Sequence, residues 1–168
     1  TTLADLQKRF DLHAKVRDKL TETHDAVTKL RDVRDQLKAV AERSKAASKD
    51  TTIAAAATAL TKQLTAVEES LYQTQNKSNQ DPLNYPIRLN NKLSMLTSVV
   101  DAADAPPTDQ AAAVYADLAG RIDAELAALR QALGAGLDGF NQLVRDRGVP
   151  AVVVKEKKDR KPEGAPIP

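Results

Sequence analysis

The stretch that decides the fold is "FDLHAKVRDKLTETHDAVTKLRDVRDQL", residues 10–37. Acidic residues in it stand four positions before basic ones, as in Asp11 and Lys15, the favourable order on a solvated helix face. Its apolar residues recur at spacings that place them on one stripe of an α-helix. The stripe runs on in both directions, through Leu3, Leu6, Phe10, Val16, Leu20, Val27, Leu30, Leu37 and Val40. The sequence therefore begins with one long amphipathic helix.

Boundary signals divide the rest of the chain into three further helices. Thr2, with Asp5 three residues later, resembles a capping box, and "SKAASKD" at 44–50 ends the first stripe. The later signals are the caps and breakers Thr52, Pro86, "DAADAPPT" at 101–108, Thr108, Gly148 and Pro150. We predict an all-α, up-down-up-down four-helix bundle over residues 1–148, with long helices one and four and shorter helices two and three. Residues 149–168 form an irregular C-terminal extension.

Composition excludes several classes of function. The chain has 168 residues, a net charge of only +2, no Trp and five Phe and Tyr residues in total, which disfavours a nucleic-acid binder. Cysteine is absent, so neither a disulfide framework nor a thiolate metal site is available. No apolar run approaches the ~20 residues that a membrane-spanning helix requires. We predict no cofactor, no nucleic-acid partner and no membrane span.

No catalytic or metal-binding motif stands out. His13 and His24 are the only histidines, and they lie about 16 Å apart along one helix, too far to share a metal. The carboxylates fall on exposed faces among lysines, whereas acid–base catalysis needs a pair whose environments differ. The glycines in the fourth helix, Gly134, Gly136 and Gly139, either permit close packing or mark a bend. We therefore predict no catalytic residue and no metal site in this chain.

The most unusual segment is "SNQDPLNYPIRLNNKL", residues 78–93. Its two prolines favour a turn between helices two and three, and Asn79, Asp81 and Asn84 are suited to bind loose backbone groups there. Two interpretations stay open for the polar side chains of this segment. In the first, they brace the turn or a neighbouring helix. In the second, they form a small-ligand or carbohydrate site centred on Asn84, Tyr85, Arg88, Asn90 and Asn91.

Helix lengths predict an uncovered stem. In an up-down-up-down bundle, the short pair of helices covers only part of the long pair and leaves about 25 Å of a two-helix stem. We expect this stem, from residues 3–18 and 131–147, to expose the interface candidates Leu6, Phe10, Leu137 and Phe140. Contiguous apolar surface of this kind marks an interface. The expected cover is the segment "VPAVVV" at 149–154, a second copy of the chain, or a preceding domain.

The stretches at 10–37 and 78–93, together with "GVPAVVV" at 148–154, resemble a known family region. They look like the C-terminal helical region of large bacterial proteins that carry sortilin-like β-propellers of BNR (Asp-box) repeats, proteins commonly described as glycosyl hydrolases. An Asp box needs a Ser-x-Asp-x-Gly-x-Thr-Trp hairpin, and this chain has no Trp. The resemblance therefore implies that any propeller and any hydrolase chemistry lie upstream, and it carries no catalytic residue onto this chain.

The resemblance implies a non-catalytic helical accessory or interaction module of a larger exported protein, in a periplasmic or extracellular setting. The partner it implies is the preceding β-propeller of the same polypeptide, and self-association is the other partner that we expect. The alternative is the ligand-binding module centred on the Asn-rich segment. Burial distinguishes the two, because saturated amides indicate bracing and amides that converge on an open pocket indicate a ligand.

Overall fold

The computed structural model describes residues 1–47, 51–78, 80–102 and 104–149. These residues form helices and no strands. Helix α1 spans Leu3–Ala47, α2 spans Thr52–Leu71 and α3 spans Leu89–Asp101, with a short 3-10 turn at Asp81–Leu83 before α3. The fourth helical leg consists of α4 (Asp109–Gln131), a π-helical segment (Ala132–Gly136) and α5 (Leu137–Asp146). The predicted all-α four-helix bundle, with two long and two short helices, is confirmed.

Local capping fixes several of the helix ends where the sequence places them. The Thr2 amide donates to Asp5 Oδ2 at 2.9 Å, and the Asp5 amide donates to Thr2 Oγ1 at 3.2 Å, which completes the capping box of α1. Thr108 Oγ1 accepts from the Ala111 amide at 3.1 Å at the start of α4. These interactions involve residues three apart in the chain, so they need no tertiary structure to form.

The fourth leg ends in a Schellman motif. Gly148 has a φ of 68°, a conformation that glycine adopts without steric cost. Its amide donates to the Arg145 carbonyl, and the Val149 amide donates to the Val144 carbonyl at 2.9 Å. Val149 also packs against the core, so the predicted extension begins as part of the helix cap. The rest of the predicted extension, from Pro150, lies outside the described residues.

The path of the chain differs from simple up-down-up-down alternation. On α1, Arg31 and Arg34 meet Glu68 of α2, and nearer the start of α1 His13 meets Asp101 of α3. Both α2 and α3 therefore run antiparallel to α1 and cover successive parts of it, end to end.

The fourth leg runs parallel to α1 along its length. The Tyr115 hydroxyl donates to the Lys15 carbonyl at 3.4 Å, and Lys19 Nζ donates to Asp123 at 2.7 Å. Rising residue numbers on α1 thus meet rising numbers on α4. Because α2 and α3 follow one another along α1, a cross-section through the four-helix bundle cuts α1, the fourth leg and either α2 or α3.

One continuous core joins all the helices. Each side chain buried from water in this core contributes roughly 1.5–3 kcal/mol. The most deeply buried members come from every helix and include Val16, Leu30, Val33, Leu37, Leu64, Leu71, Leu93, Ile122 and Val144. Of the predicted stripe on α1, Val16, Val27, Leu30, Leu37 and Val40 are buried and Leu20 is partly buried. The stripe omitted Leu12 and Val33, which are buried as well.

The glycine-rich segment of the fourth leg forms the π-helical turn at Ala132–Gly136. A Cβ at Gly136 would stand 3.2 Å from Leu60 Cδ1 of α2, whereas a Cβ at Gly134 or Gly139 would meet nothing within 4 Å. Close packing is therefore the role of Gly136 alone among these three. π-turns interrupt α-helical geometry locally, which matches the predicted departure from a regular helix in this segment.

The predicted stem at residues 3–18 and 131–147 is wrong. Because the fourth leg is parallel to α1, its last turns lie beside α2 and not beside the start of α1. Leu137 and Phe140 are both 4% exposed and belong to the core, so they are not available as an interface. Leu6 and Phe10 are 46% and 62% exposed, as expected, and they lie at the opposite end of the bundle.

Most of the predicted cover "VPAVVV" lies outside the described residues, which end at Val149. Val149 itself packs at the end of the fourth leg, where its amide donates to the Val144 carbonyl at 2.9 Å. From Tyr115, whose hydroxyl contacts Lys15 of α1, to Val149 the fourth leg extends roughly 50 Å at ~1.5 Å per residue. Val149 and Phe10 therefore lie at opposite ends of the bundle.

Candidate functional site

Three of the five buried polar side chains among the described residues, Glu68, Gln73 and Asn90, lie near the point where α2 passes into α3. This joint, residues 72–88, carries the Asn-rich segment and lies against the middle of α1. Helix α3 begins at Leu89, three residues later than the start predicted at Pro86. The Pro86 carbonyl accepts a hydrogen bond from the Gln73 side chain at 2.7 Å. Because this carbonyl is engaged by Gln73, it does not accept a hydrogen bond from an amide of α3, and the helix begins later.

Asp81 organises the first half of the joint. Its carboxylate accepts hydrogen bonds from the Lys77 and Ser78 amides and from the Ser78 hydroxyl, the last at 2.8 Å. The Lys77 amide contributes most, followed by Ser78, and together they hold the pKa of Asp81 below its usual value. The prediction that Asp81 binds loose backbone groups is confirmed. Asn79 lies outside the described residues.

Side-chain hydrogen bonds connect the second half of the joint with the start of α3. Asn91 Oδ1 accepts from the Arg88 amide at 3.4 Å, so this asparagine reaches back to the residue that precedes the helix. Gln73 is 8% exposed and contacts both sides of the joint, since its Oε1 also accepts from the Gln75 amide at 3.1 Å. The joint is thus tied to itself by side-chain-to-backbone hydrogen bonds.

A buried carboxylate pairs α2 with α1. The Glu68 side chain is 3% exposed, and its two oxygens accept from Arg31 Nε at 2.5 Å and Arg34 Nη1 at 2.6 Å. Arg34 also donates to the Thr65 hydroxyl at 3.3 Å. The guanidinium carbon of Arg31 lies 5.1 Å from the centre of the Tyr72 ring, within cation–π range. Because both carboxylate oxygens of Glu68 accept hydrogen bonds from arginines of α1, this group fixes the register of the two helices.

His24 and Asn90 meet between α1 and α3. The Asn90 side-chain nitrogen lies 3.5 Å from His24 Nε2, and the His24 ring packs edge-on against Tyr72 with 6.3 Å between ring centres. Asn90 is only 6% exposed, and its Oδ1 has no partner among the described residues. These groups extend the polar contacts of Glu68 and Tyr72 across the joint, from α2 to α3.

His13 lies elsewhere and has a different partner. Its Nε2 is 3.0 Å from Asp101 Oδ1 at the end of α3, and Arg9 contacts the same carboxylate at 3.5 Å. The two histidines thus bind different ends of α3. Within the described residues no three His, Cys, Asp or Glu side chains come together in a way that would hold a metal ion.

The five residues of the predicted ligand site do not converge. Asn90 faces α1 and is buried, Asn91 caps α3, and Asn84 contributes its backbone amide to the Asp81 carbonyl at 2.9 Å. Tyr85 is 38% exposed on the joint. Arg88 lines a cavity on the other side of α3, toward α4. Their side chains therefore do not form one pocket.

Sequence reasoning missed the buried carboxylate. Glu68 follows Leu64 by four residues and so occupies the buried stripe of α2, which also carries Leu60 and Leu71. An acidic residue on a buried stripe is rarely tolerated unless it is paired, and this position was the available signal. Its partners are not visible in the sequence, because the pairing depends on the register of α2 against α1.

No described helix is both long enough and apolar enough to cross a membrane.

Comparisons with known proteins found no relative of this chain. No protein-family model, no curated protein and no solved structure matches this chain.

Proposed function

We propose that this chain is a non-catalytic helical interaction module at the C-terminus of a larger exported BNR-repeat propeller protein of the kind described as glycosyl hydrolases. The family resemblance of residues 10–37 and 78–93 supports the parent protein and its periplasmic or extracellular setting. The proposed partner is the propeller domain that precedes Thr1 in the same polypeptide. The module binds it through the end of the bundle where α1 begins.

The observation that carries the proposal is the uneven distribution of exposed apolar side chains. Two of those in the described chain lie in the joint, Leu83 and Tyr85. The others all lie on the half of the bundle formed by the start of α1, α3 and the start of α4: Leu3, Leu6, Phe10, Met95, Val99 and Val114. The half formed by the end of α1, α2 and α5 exposes no large hydrophobic side chain among its described residues.

This apolar half has the properties of an interface. Phe10 is 62% exposed and Leu3 is 84% exposed, so each would gain free energy from being covered. Full burial of such a side chain contributes about 1.5–3 kcal/mol. Apolar patches rimmed by polar residues mark sites of association in soluble proteins, and Arg9 with its two aspartates forms such a rim here.

The charged groups support a binding role over a catalytic one. The buried carboxylate, Glu68, is held by two arginines and is enclosed between α1 and α2. Of the two histidines, His13 is engaged with Asp101 and His24 with Tyr72 and Asn90. A general acid or base must reach substrate from a cleft, and these groups are occupied in holding helices together.

The absence of cysteine makes a direct test possible. Single cysteines introduced at Leu6 and Phe10 can be labelled with a maleimide, and Gln63→Cys on the exposed face of α2 is the matched control. We expect all three to react quickly in the isolated chain at low concentration. In the longer polypeptide, positions 6 and 10 should react many times more slowly, while position 63 should be unchanged.

A dilution series distinguishes the two partners that could cover positions 6 and 10, the propeller domain and a second copy of the chain. Protection that appears in the isolated chain as its concentration rises indicates self-association in place of the propeller. Equal labelling of positions 6, 10 and 63 in the longer polypeptide would refute the interface. A reading frame without a propeller upstream of Thr1 would refute the proposal that the chain belongs to a larger propeller protein. Glycosidase activity of the purified chain that is lost when one carboxylate is substituted would refute the non-catalytic role.

A further inference from the structure

A cavity of about 330 Å³ lies between the entry to α3 and the middle of α4. It is on the opposite side of α3 from His24 and Asn90, and it is separate from the apolar end of the bundle. Its wall includes Arg88 at the end of the joint, Lys92 from α3, and Arg121 and Glu125 from α4. The cavity thus combines three positive charges with one negative charge.

The cations on this wall are poorly neutralised. Arg88 and Lys92 form no ion pair with any described residue. Arg121 has one, with Asp117 at 3.6 Å, and both side chains are more than half exposed. Exposed pairs of that kind contribute at most about 1 kcal/mol, so Arg121 remains available to another anion. The contrast is Glu68, whose buried carboxylate holds two arginines at 2.5 and 2.6 Å.

The backbone at the start of α3 adds donors to the same place. Ile87, Arg88 and Leu89 line the cavity, and Leu89 is the first residue of the helix. The residue before the helix is an arginine, whose side chain has only donors and cannot cap amide groups. The Asn91 side chain accepts from the Arg88 amide alone, and no described side chain caps the amides of the first turn. The first-turn amides therefore add partial positive charge beside the three cationic side chains.

We propose that this cavity is a binding site for a tetrahedral oxyanion of two negative charges, a phosphate or sulfate group. Arg88 holds it from the end of the joint, Lys92 from α3 and Arg121 from α4. The wall has a net charge of two positive units, which such a group neutralises. The planar guanidinium donates two parallel hydrogen bonds to a tetrahedral oxyanion, a geometry that chloride cannot exploit.

The proposal is independent of the partner at the apolar end. The oxyanion site faces the groove between α3 and α4, and binding there requires neither a propeller nor a second copy. The group recognised is the same whether it belongs to an inorganic ion or to a phosphate ester. These two sources are distinguished by comparing inorganic phosphate with O-phosphoserine, an ester of the same charge class.

The test is a titration of the full chain followed by amide chemical shifts in nuclear magnetic resonance. Sodium phosphate, sodium sulfate and O-phosphoserine are each compared with sodium chloride at matched ionic strength. We expect saturable shifts of the Arg88, Leu89 and Lys92 amides with the divalent oxyanions and none with chloride. Tighter binding of O-phosphoserine than of inorganic phosphate indicates an ester as the ligand, and equal binding indicates the free ion.

Charge variants test the wall directly. Arg88→Gln and Arg121→Gln should each weaken binding about tenfold or more, the usual effect of losing a charge-assisted hydrogen bond. Glu125→Gln should strengthen binding, because it removes the one negative charge on the wall. Lys62→Gln, on the exposed face of α2, makes the same change in net charge outside the cavity and should leave binding unchanged.

Two results would overturn the proposal. One is that phosphate and sulfate shift these amides no more than chloride does. The other is that Lys62→Gln weakens binding as much as Arg121→Gln, which would mean that the anions respond to net charge and not to this cavity. All four substituted side chains are at least partly exposed, so the variants keep the fold.

Discussion

Truncation of Phe140 and of Phe10 tests whether the fourth leg runs parallel to α1. If the fourth leg ran antiparallel to α1, the two phenylalanines would share one stem and would respond alike. In the structure Phe140 is 4% exposed and belongs to the core, whereas Phe10 is 62% exposed. Phe140→Ala should therefore lower the free energy of unfolding by about 3–5 kcal/mol, the range for a buried phenylalanine. Phe10→Ala should lower it by at most ~1 kcal/mol.

The assay is urea unfolding of each variant, followed by far-ultraviolet circular dichroism. In thermal unfolding the loss at Phe140 corresponds to a fall in Tm of roughly 6–20 °C for a chain of this size. Phe140→Leu is a milder variant that should remain folded if the alanine variant does not, and it should still be less stable than Phe10→Leu. Equal effects at the two positions, or a larger effect at Phe10, would refute the reasoning.

Three further predictions concern the joint and the helix contacts. Glu68→Ala leaves two partly exposed arginines without their carboxylate and should cost about 1–3 kcal/mol of unfolding free energy in urea, against under ~0.5 kcal/mol for the exposed Glu69→Ala. Gly134→Ala should raise the Tm, since alanine favours a helix over glycine by up to ~1 kcal/mol and the added Cβ meets nothing. Gly136→Ala should raise the Tm less or lower it, because its Cβ would stand 3.2 Å from a buried leucine of α2. The folded-state pKa of Asp81 is depressed below 3.8, so its contribution is present above that pH and is lost as the pH falls through the lower folded value. A carbon-detected nuclear magnetic resonance titration should give this lower pKa. The free energy of unfolding of Asp81→Asn should differ from that of the parent chain at neutral pH but not in strong acid.

The candidate site was predictable only where its contacts are local. Asp81 binds amides three and four residues before it, so a turn-forming aspartate before a proline was enough to predict that role. The pairing of Glu68 with two arginines crosses more than thirty residues of chain. The cavity at Arg121 likewise joins residues of α3 and α4. Such long-range neighbours are set by the packing of helices and leave no spacing signal in the sequence.

Local sequence signals were enough to predict the helices of the described residues and most of their ends. These signals rest on interactions within a few residues: the stripe on α1, the capping box at Thr2, the cap at Thr108 and the glycine stop at Gly148. Such interactions are the same in any arrangement of the helices. Boundaries were less well determined at Pro86, where a long-range hydrogen bond from Gln73 delays the start of α3.

The direction of each leg depends on the packing of the helices and was not predictable from the sequence. An amphipathic stripe is buried equally well against a parallel or an antiparallel neighbour, so the pattern of apolar residues does not select between the two. The joint decides it: the ties made by Asp81 and Gln73 carry α3 onward along α1 and do not fold it back against α2. Helices α2 and α3 together with the joint then match the length of α1. That match buries Phe140 against α2 and leaves Phe10 exposed at the far end, although the two side chains look equivalent in the sequence.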